Sequence, residues 1–343
     1  DGKIRRVKID GSFAWGDMGT IGMALDPKFL ENRRFYVWYA DKPDKNVALD
    51  RFEWRDRTSE TAGTRVNVIT FSRREPPAPY HMGGVVKFLP DGTLLIGTGD
   101  AERPELSQDR KDLNGKLLRI RPKDEGGYEV PTDNPHVGDA AWRPEIVAHG
   151  LRAPFRAHLR DGKHLYFGDV GAVYEEIDLW KGGAVDFGWG HGVVSDGPTQ
   201  PEGTVKPLVS WSQNRDFAAE DPDYNGETRL SAGVGPIYEG FSQDRYDGFL
   251  TGKLIFFDVM RGWIRAADLD AEGNVAGHRH VGHRQFISDM ILGRDGYLYG
   301  VTWCRTESIF RLRLSHEIKP GPKAPPPTPI DEPPRPEGAA GTK

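Results

Sequence analysis

The chain has 343 residues, a formal net charge of −5, 42 glycines, 26 prolines and one cysteine. That charge offers no basic surface to nucleic acid, and a lone Cys304 excludes an intrachain disulfide, a cysteine-based zinc cluster and a Cys-x-x-Cys-His haem site. No apolar run approaches the roughly 20 residues that span a bilayer, so no membrane span is expected, and residues 1–20 carry no signal-peptide core. With 37% hydrophobic residues and little helical periodicity, the composition favours many short strands joined by tight turns, an all-β chain.

In chain order, Lys3 to Ile9 reads as the second half of a hairpin, so the chain is expected to start mid-module. Gly22 to Pro27 leads into a strand at Arg34 to Ala40, and two more follow near 46–54 and 65–72. Next come two β-rich runs, Tyr80 to Phe88 and Thr93 to Gly99, separated by a Pro90-Asp91-Gly92 turn. His81 stands just before the first of them. An imidazole with an ordinary pKa of about 6.5 can accept a proton near neutral pH, and Gly83 and Gly84 beside it are expected to admit a ligand closely. Among 10 histidines, a structural role for His81 stands beside the catalytic one.

The turn-plus-strand pattern recurs at Asp161-Gly162 and Asp295-Gly296. The spacings are 161 − 91 = 70 and 295 − 161 = 134, so a copy is missing between them, and Tyr246-Asp247-Gly248 is a degenerate candidate. Repeats of four short strands that cannot bury their faces alone signal a β-propeller. Long repeats require insertions, as at 101–114 and 122–143, and residues 190–230 read as a polar loop closing one face. From Lys319 onward nine prolines make a stiff linker, which divides the chain into a propeller over 1–318 and a tail over 319–343.

These residues resemble the glucose/sorbosone dehydrogenase family of quinoprotein aldose dehydrogenases. The resemblance runs through Gly19 to Phe29, His81 to Gly84, Asn114 to Ile120, Pro131 to Pro135, Gly150 to Arg156, Gly168 to Gly171, Glu175 to Asp178, Asp186 to Trp189 and Met260 to Ile264, in family order. It implies a six-bladed propeller of four-stranded antiparallel blades, the first lacking its opening strand. It also implies pyrroloquinoline quinone over the central channel, with Ca2+ and basic side chains holding it and His81 as general base for oxidation of a sugar or polyol. Electrons would pass to an external acceptor, for which a cytochrome domain beyond the Pro-rich tail is one candidate. The family's setting is periplasmic or secreted.

By the same resemblance, the Gly171 and Ala172 carbonyls are candidate calcium ligands, and Glu176 with the Phe187 carbonyl would hold a second calcium ion. Glu175 and Glu176 could equally be solvated strand-end charges. Arg152 and Arg261 are positioned to meet the anionic quinone. Ala153, Met260, Phe286 and Ser288 stand where the family has polar or basic contacts, which Arg265, Arg284 or Arg305 could replace. Two other readings follow: a propeller that has lost the quinone and binds a glycan or protein partner, and a metal-dependent lactonase.

Overall fold

The Arg34–Ala40 strand shows almost no polar alternation, and the reason is that both of its faces are covered. A computed structural model describes residues 9, 12, 19–41, 46–55, 62–71, 80–192, 196–212, 230–303 and 308–314. All of its sheets fall within the unit Asp1–Leu312. The first blade is β1 (Thr20–Leu25), β2 (Arg34–Ala40), β3 (Val47–Glu53) and β4 (Val66–Phe71), each antiparallel to the next. The second is β5 (Gly83–Phe88), β6 (Leu94–Thr98) and β7 (Lys116–Pro122), with short β8 (Tyr128–Glu129) on β7, then β9 (Ile146–His149). The third opens with β10 (Pro154–Arg160), β11 (His164–Asp169) and β12 (Tyr174–Trp180). The chain then crosses back, where β13 (Val185–Asp186) pairs in parallel with β9, before β14 (Val209–Ser212) completes the third blade. The fourth is β15 (Ala232–Ile237), β16 (Leu254–Asp258), β17 (Trp263–Leu269) and β18 (Val275–His283), and the fifth is β19 (Ile287–Leu292), β20 (Leu298–Thr302) and β21 (Ile309–Arg311).

The described residues therefore form five blades, not the expected six. The first blade is complete, and the three-stranded one is the last. The count of six came from the family resemblance, and the incomplete first blade from Lys3 to Ile9. Those residues lie outside the described ones except Ile9, which packs with Phe35, Val37 and Phe52 of the first blade. The loop reading of 190–230 also needs correction, since β14 buries Trp211 in the core between the third and fourth blades. Residues 213–229, Arg305 and the Pro-rich tail lie outside the described residues.

Side-chain alternation assembles the core. On β6, Leu94 and Ile96 pack towards the first blade with Trp38 and Leu49, while Leu95 packs towards the third with Leu165 and Phe167. The inner strands β1, β5, β10, β15 and β19 lie side by side in that order. The repeated Asp-Gly turns join inner to second strands at Asp91, Asp161, Asp247 and Asp295. Gly83 and Gly84 serve this packing rather than a ligand: a Cβ on Gly83 would sit 2.2 Å from the Gly97 carbonyl oxygen, and one on Gly84 2.8 Å from that of Phe155. No helix among the described residues is long and apolar enough to cross a membrane.

Arg156, on β10, ties inner strands together. Its guanidinium donates to the Ile21 carbonyl of β1 at 2.7 Å and to the Ser288 carbonyl of β19, so one side chain bridges three blades. On the same strand, burial and the neighbouring Lys87 and Arg160 cations push the His158 imidazole down to about 4. A histidine with a folded pKa below its unfolded value contributes stability that is full above about pH 6.5 and is lost as pH falls towards 4. Denaturant midpoints of the wild type should therefore drop relative to His158→Gln across that window. Parallel profiles would contradict this assignment.

Candidate active site

In each blade the residue preceding the inner strand and the loop between the second and third strands lie at the same end. Hydrogen bonds trace this rim from blade to blade. His81 precedes β5, and its Nδ1 lies 2.7 Å from Oδ1 of Asp100, which follows β6. The Asp100 N–H donates to the carbonyl of Arg152, which precedes β10. The Arg152 N–H and Ala153 N–H both donate to Asp169, at 2.9 and 2.5 Å, and Arg152 Nη1 donates to the Val170 carbonyl at 2.6 Å. Glu175 accepts from the Ala232 N–H at 2.6 Å, and the Phe286 N–H donates to the Val259 carbonyl at 2.6 Å.

His81 adopts a left-handed backbone conformation, φ 58°, that non-glycine residues rarely take. Close packing imposes it: a Cβ on Gly99 would stand 1.8 Å from the His81 carbonyl oxygen. Its side chain is 17% exposed, while Asp100 is fully buried. Asp100 Oδ1 also accepts the Glu102 N–H at 2.8 Å, and Oδ2 accepts the Trp189 Nε1–H at 2.8 Å. A carboxylate on Nδ1 fixes the tautomer, so Nε2 carries the lone pair. Above the same indole lies the Arg152 guanidinium, 5.4 Å from the ring centroid. Among the described residues Arg152 Nε is buried without a hydrogen-bond partner.

A second feature is acidic. Glu176 and Asp178 share one face of β12, and Asp169 faces Glu176 across the β11–β12 pair. One oxygen of each of these three buried residues lies within 4.8 Å of the others. Glu176 Oε1 accepts the Gly197 N–H and Gln200 Nε2–H, whereas both Asp178 oxygens are buried without a hydrogen-bond partner among the described residues. Burial first, then the charges of Asp178 and Asp169 on Glu176 and of Asp169 on Asp178, raises these two well above the usual carboxylate range, and burial pushes Asp169 up to about 6. Three buried carboxylate oxygens this close together have the ligand chemistry that suits a hard cation. Glu176 is thus no solvated strand-end charge. Glu175 is buried too, on the opposite face of β12, and is raised by burial and by the Asp258 charge.

The remaining expected residues divide. Gly171 starts the β11–β12 turn, where a Cβ would meet the Tyr174 carbonyl oxygen at 1.5 Å. The Ala172, Val173 and Tyr174 N–H groups converge on Asp196 Oδ2 at 2.7, 2.9 and 3.2 Å. The Met260 and Arg261 N–H groups both donate to Asp258 at 2.9 Å. Phe187 is buried against Phe167, and the adjoining Gly188 packs on Gln200, the partner of Glu176. Ser288 lies inside β19, and no hydrogen bond links it to Arg152 or His81 among the described residues. Arg265 donates to His278 within the fourth blade, and Arg284 to Ser308. Sequence reasoning missed Asp100, Trp189, Asp169 and Asp178.

The family model of glucose/sorbosone dehydrogenase matches residues 1–311. The chain is 27% identical to the aldose sugar dehydrogenase YliI of Escherichia coli, over 84% of this chain and 76% of that protein. It is 26% identical to human Hedgehog-interacting protein, over 45% of this chain and 24% of that one. The solved PQQ-bound aldose sugar dehydrogenase of Streptomyces coelicolor shares the fold, with a TM-score of 0.67 and 21% identity over 89% of this chain and 82% of that one.

Proposed function

The chain belongs to the glucose/sorbosone dehydrogenase family, and on that premise we propose that it oxidises an aldose or related polyol with pyrroloquinoline quinone as cofactor. The observation that carries this reading is the His81–Asp100 pair sharing one rim with Arg152. The residues present fit an anionic quinone in part. Arg152 offers a buried Nε–H without a partner, and guanidinium suits a carboxylate. At Ala153, Met260, Phe286 and Ser288 this chain has no charge to offer.

When bound, the quinone would supply the acceptor for the hydride lost from the sugar carbon; the Gly171 and Ala172 carbonyls would hold a calcium ion, which would supply Lewis acidity. The protein's own part is the proton. His81 accepts it at Nε2 from the sugar hydroxyl, while its Nδ1–H stays on Asp100. The buried Asp100 carboxylate stabilises the imidazolium that forms. Arg152 orients the cofactor, and electrons leave to an external acceptor. A dye-coupled assay with quinone, calcium and a panel of aldoses tests this: sugar-dependent dye reduction supports it, and its absence across the panel contradicts it.

Asp169, Glu176 and Asp178 fit a second, structural calcium ion. Calcium at about 100 times its Kd should add about 2.7 kcal/mol of stability to the wild type over chelated protein. Asp178→Asn should lose that gain. In chelator it should be no less stable than the wild type, because it removes an ionisable group whose buried oxygens have no hydrogen-bond partner among the described residues and replaces it with a neutral one. Melting curves indifferent to both chelator and calcium would remove this metal from the account.

A second reading keeps the propeller without the quinone, as a binder of a glycan or protein. The apolar and short residues at Ala153, Met260, Phe286 and Ser288 favour it, as does the likeness to Hedgehog-interacting protein.

A further inference from the structure

We propose that Trp189 is a positioning residue that couples the carboxylate orienting His81 to the arginine facing the cofactor; this rests on the functional reading above. Buried indole N–H groups find partners as a rule, and Trp38 gives its own to the Met82 backbone carbonyl, but Trp189, 7% exposed, directs Nε1 at Oδ2 of Asp100, the carboxylate that also holds His81. An aspartate anchored through one oxygen can still turn about its terminal torsion. Here Oδ1 takes His81 Nδ1 and the Glu102 N–H, and Oδ2 takes the indole, so the carboxylate plane is fixed at both ends. The plane of Asp100 sets the tautomer and tilt of the imidazole.

The ring acts on the second partner. Arg152 lies over its face, and Arg152 Nη1 is held by the Val170 carbonyl, so the unpartnered Nε keeps a defined direction. Trp189 is itself pinned through its backbone. Its N–H donates to the Gly150 carbonyl at 3.0 Å and its carbonyl accepts Gln108 Nε2–H at 2.8 Å. On its C-terminal side stands Gly190, φ 92°, where a Cβ would lie 2.4 Å from the Pro104 carbonyl oxygen. One side chain from the third-to-second blade crossover thus holds both the proton-accepting and the anion-holding group.

Two variants separate the roles. Trp189→Phe keeps a ring under Arg152 and removes the N–H; Trp189→Leu removes both. Nitrogen NMR of the histidine-labelled apoprotein should show His81 as a single Nδ1-protonated tautomer in the wild type and a mixture in Trp189→Phe. Turnover of Trp189→Phe should fall about tenfold, the low end of the worth of one hydrogen bond to a charged group because the indole acts on His81 only through Asp100, with quinone Kd and sugar KM within about threefold. Trp189→Leu should in addition bind quinone about 2- to 30-fold more weakly. Trp189→His, which restores an N–H, should recover part of the tautomer preference. Should the Phe variant fail to fold, Gln108→Ala, which frees the Trp189 carbonyl, takes its place with the same readouts. Unchanged tautomer and turnover in Trp189→Phe would overturn the proposal. A wild type that binds no quinone defeats the functional reading instead, and the apoprotein NMR still decides whether Trp189 sets His81.

Discussion

Replacing His81 by alanine is expected to lower turnover by about 10²–10⁴-fold, the usual worth of a positioned general base, while leaving quinone affinity nearly intact. Size and selectivity both follow from the geometry. The imidazole is the group whose orientation Asp100 fixes at 2.7 Å, and no hydrogen bond among the described residues ties it to Arg152, so its loss removes proton transfer without dismantling the anion-holding side of the rim. Asp100→Asn should show a loss of the same kind and order, because all partners of this carboxylate are N–H donors, so an amide N–H disturbs the tautomer of the ring and cannot stabilise the imidazolium. Rates are to be measured at saturating quinone and calcium. A fall in quinone affinity matching the fall in rate would show that His81 binds the cofactor rather than serving as base.

Much of the fold is legible in the sequence because the inner hairpin turns are set locally. Asp161 and Gly162, and Asp247 and Gly248, adopt positive φ, which Gly tolerates freely and Asp more readily than most residues. Even the degenerate copy at Asp247 is a true inner turn. The blade count is not legible in this way. It depends on distant pairings, such as β13 crossing back to β9, and on strands as short as Val209–Ser212 that carry no pattern of their own.

The site divides along the same line. His81 stands out locally, and its partner was within reach. The hairpin pairs Gly83 with Thr98, and continuing that register two residues outwards sets His81 against Asp100. Likewise Asp169 faces Glu176 once the β11–β12 hairpin is placed, and Asp178 follows at the period of a strand. Trp189 could not be found so, since 89 residues separate it from Asp100 and only the crossover brings them together. Gly83 and Gly84 mislead for the opposite reason: a glycine pair beside a histidine suggests a ligand, and here the backbone of neighbouring strands fills that space.

Quinone binding tests the central claim most directly. Through its backbone Arg152 accepts the Asp100 N–H and donates to the Asp169 carboxylate, and its guanidinium keeps a buried Nε–H with no partner among the described residues, at the rim that carries His81. Loss of a charge-assisted hydrogen bond costs about 1.5–3 kcal/mol. Arg152→Ala should therefore weaken quinone binding about 10- to 150-fold, with turnover at saturation far less affected than in His81→Ala. The measurement is calorimetric titration of the wild type and Arg152→Ala with pyrroloquinoline quinone in the presence of calcium. The account predicts saturable binding to the wild type and the stated loss in the variant; no binding to the wild type would contradict it and leave the binding propeller in its place.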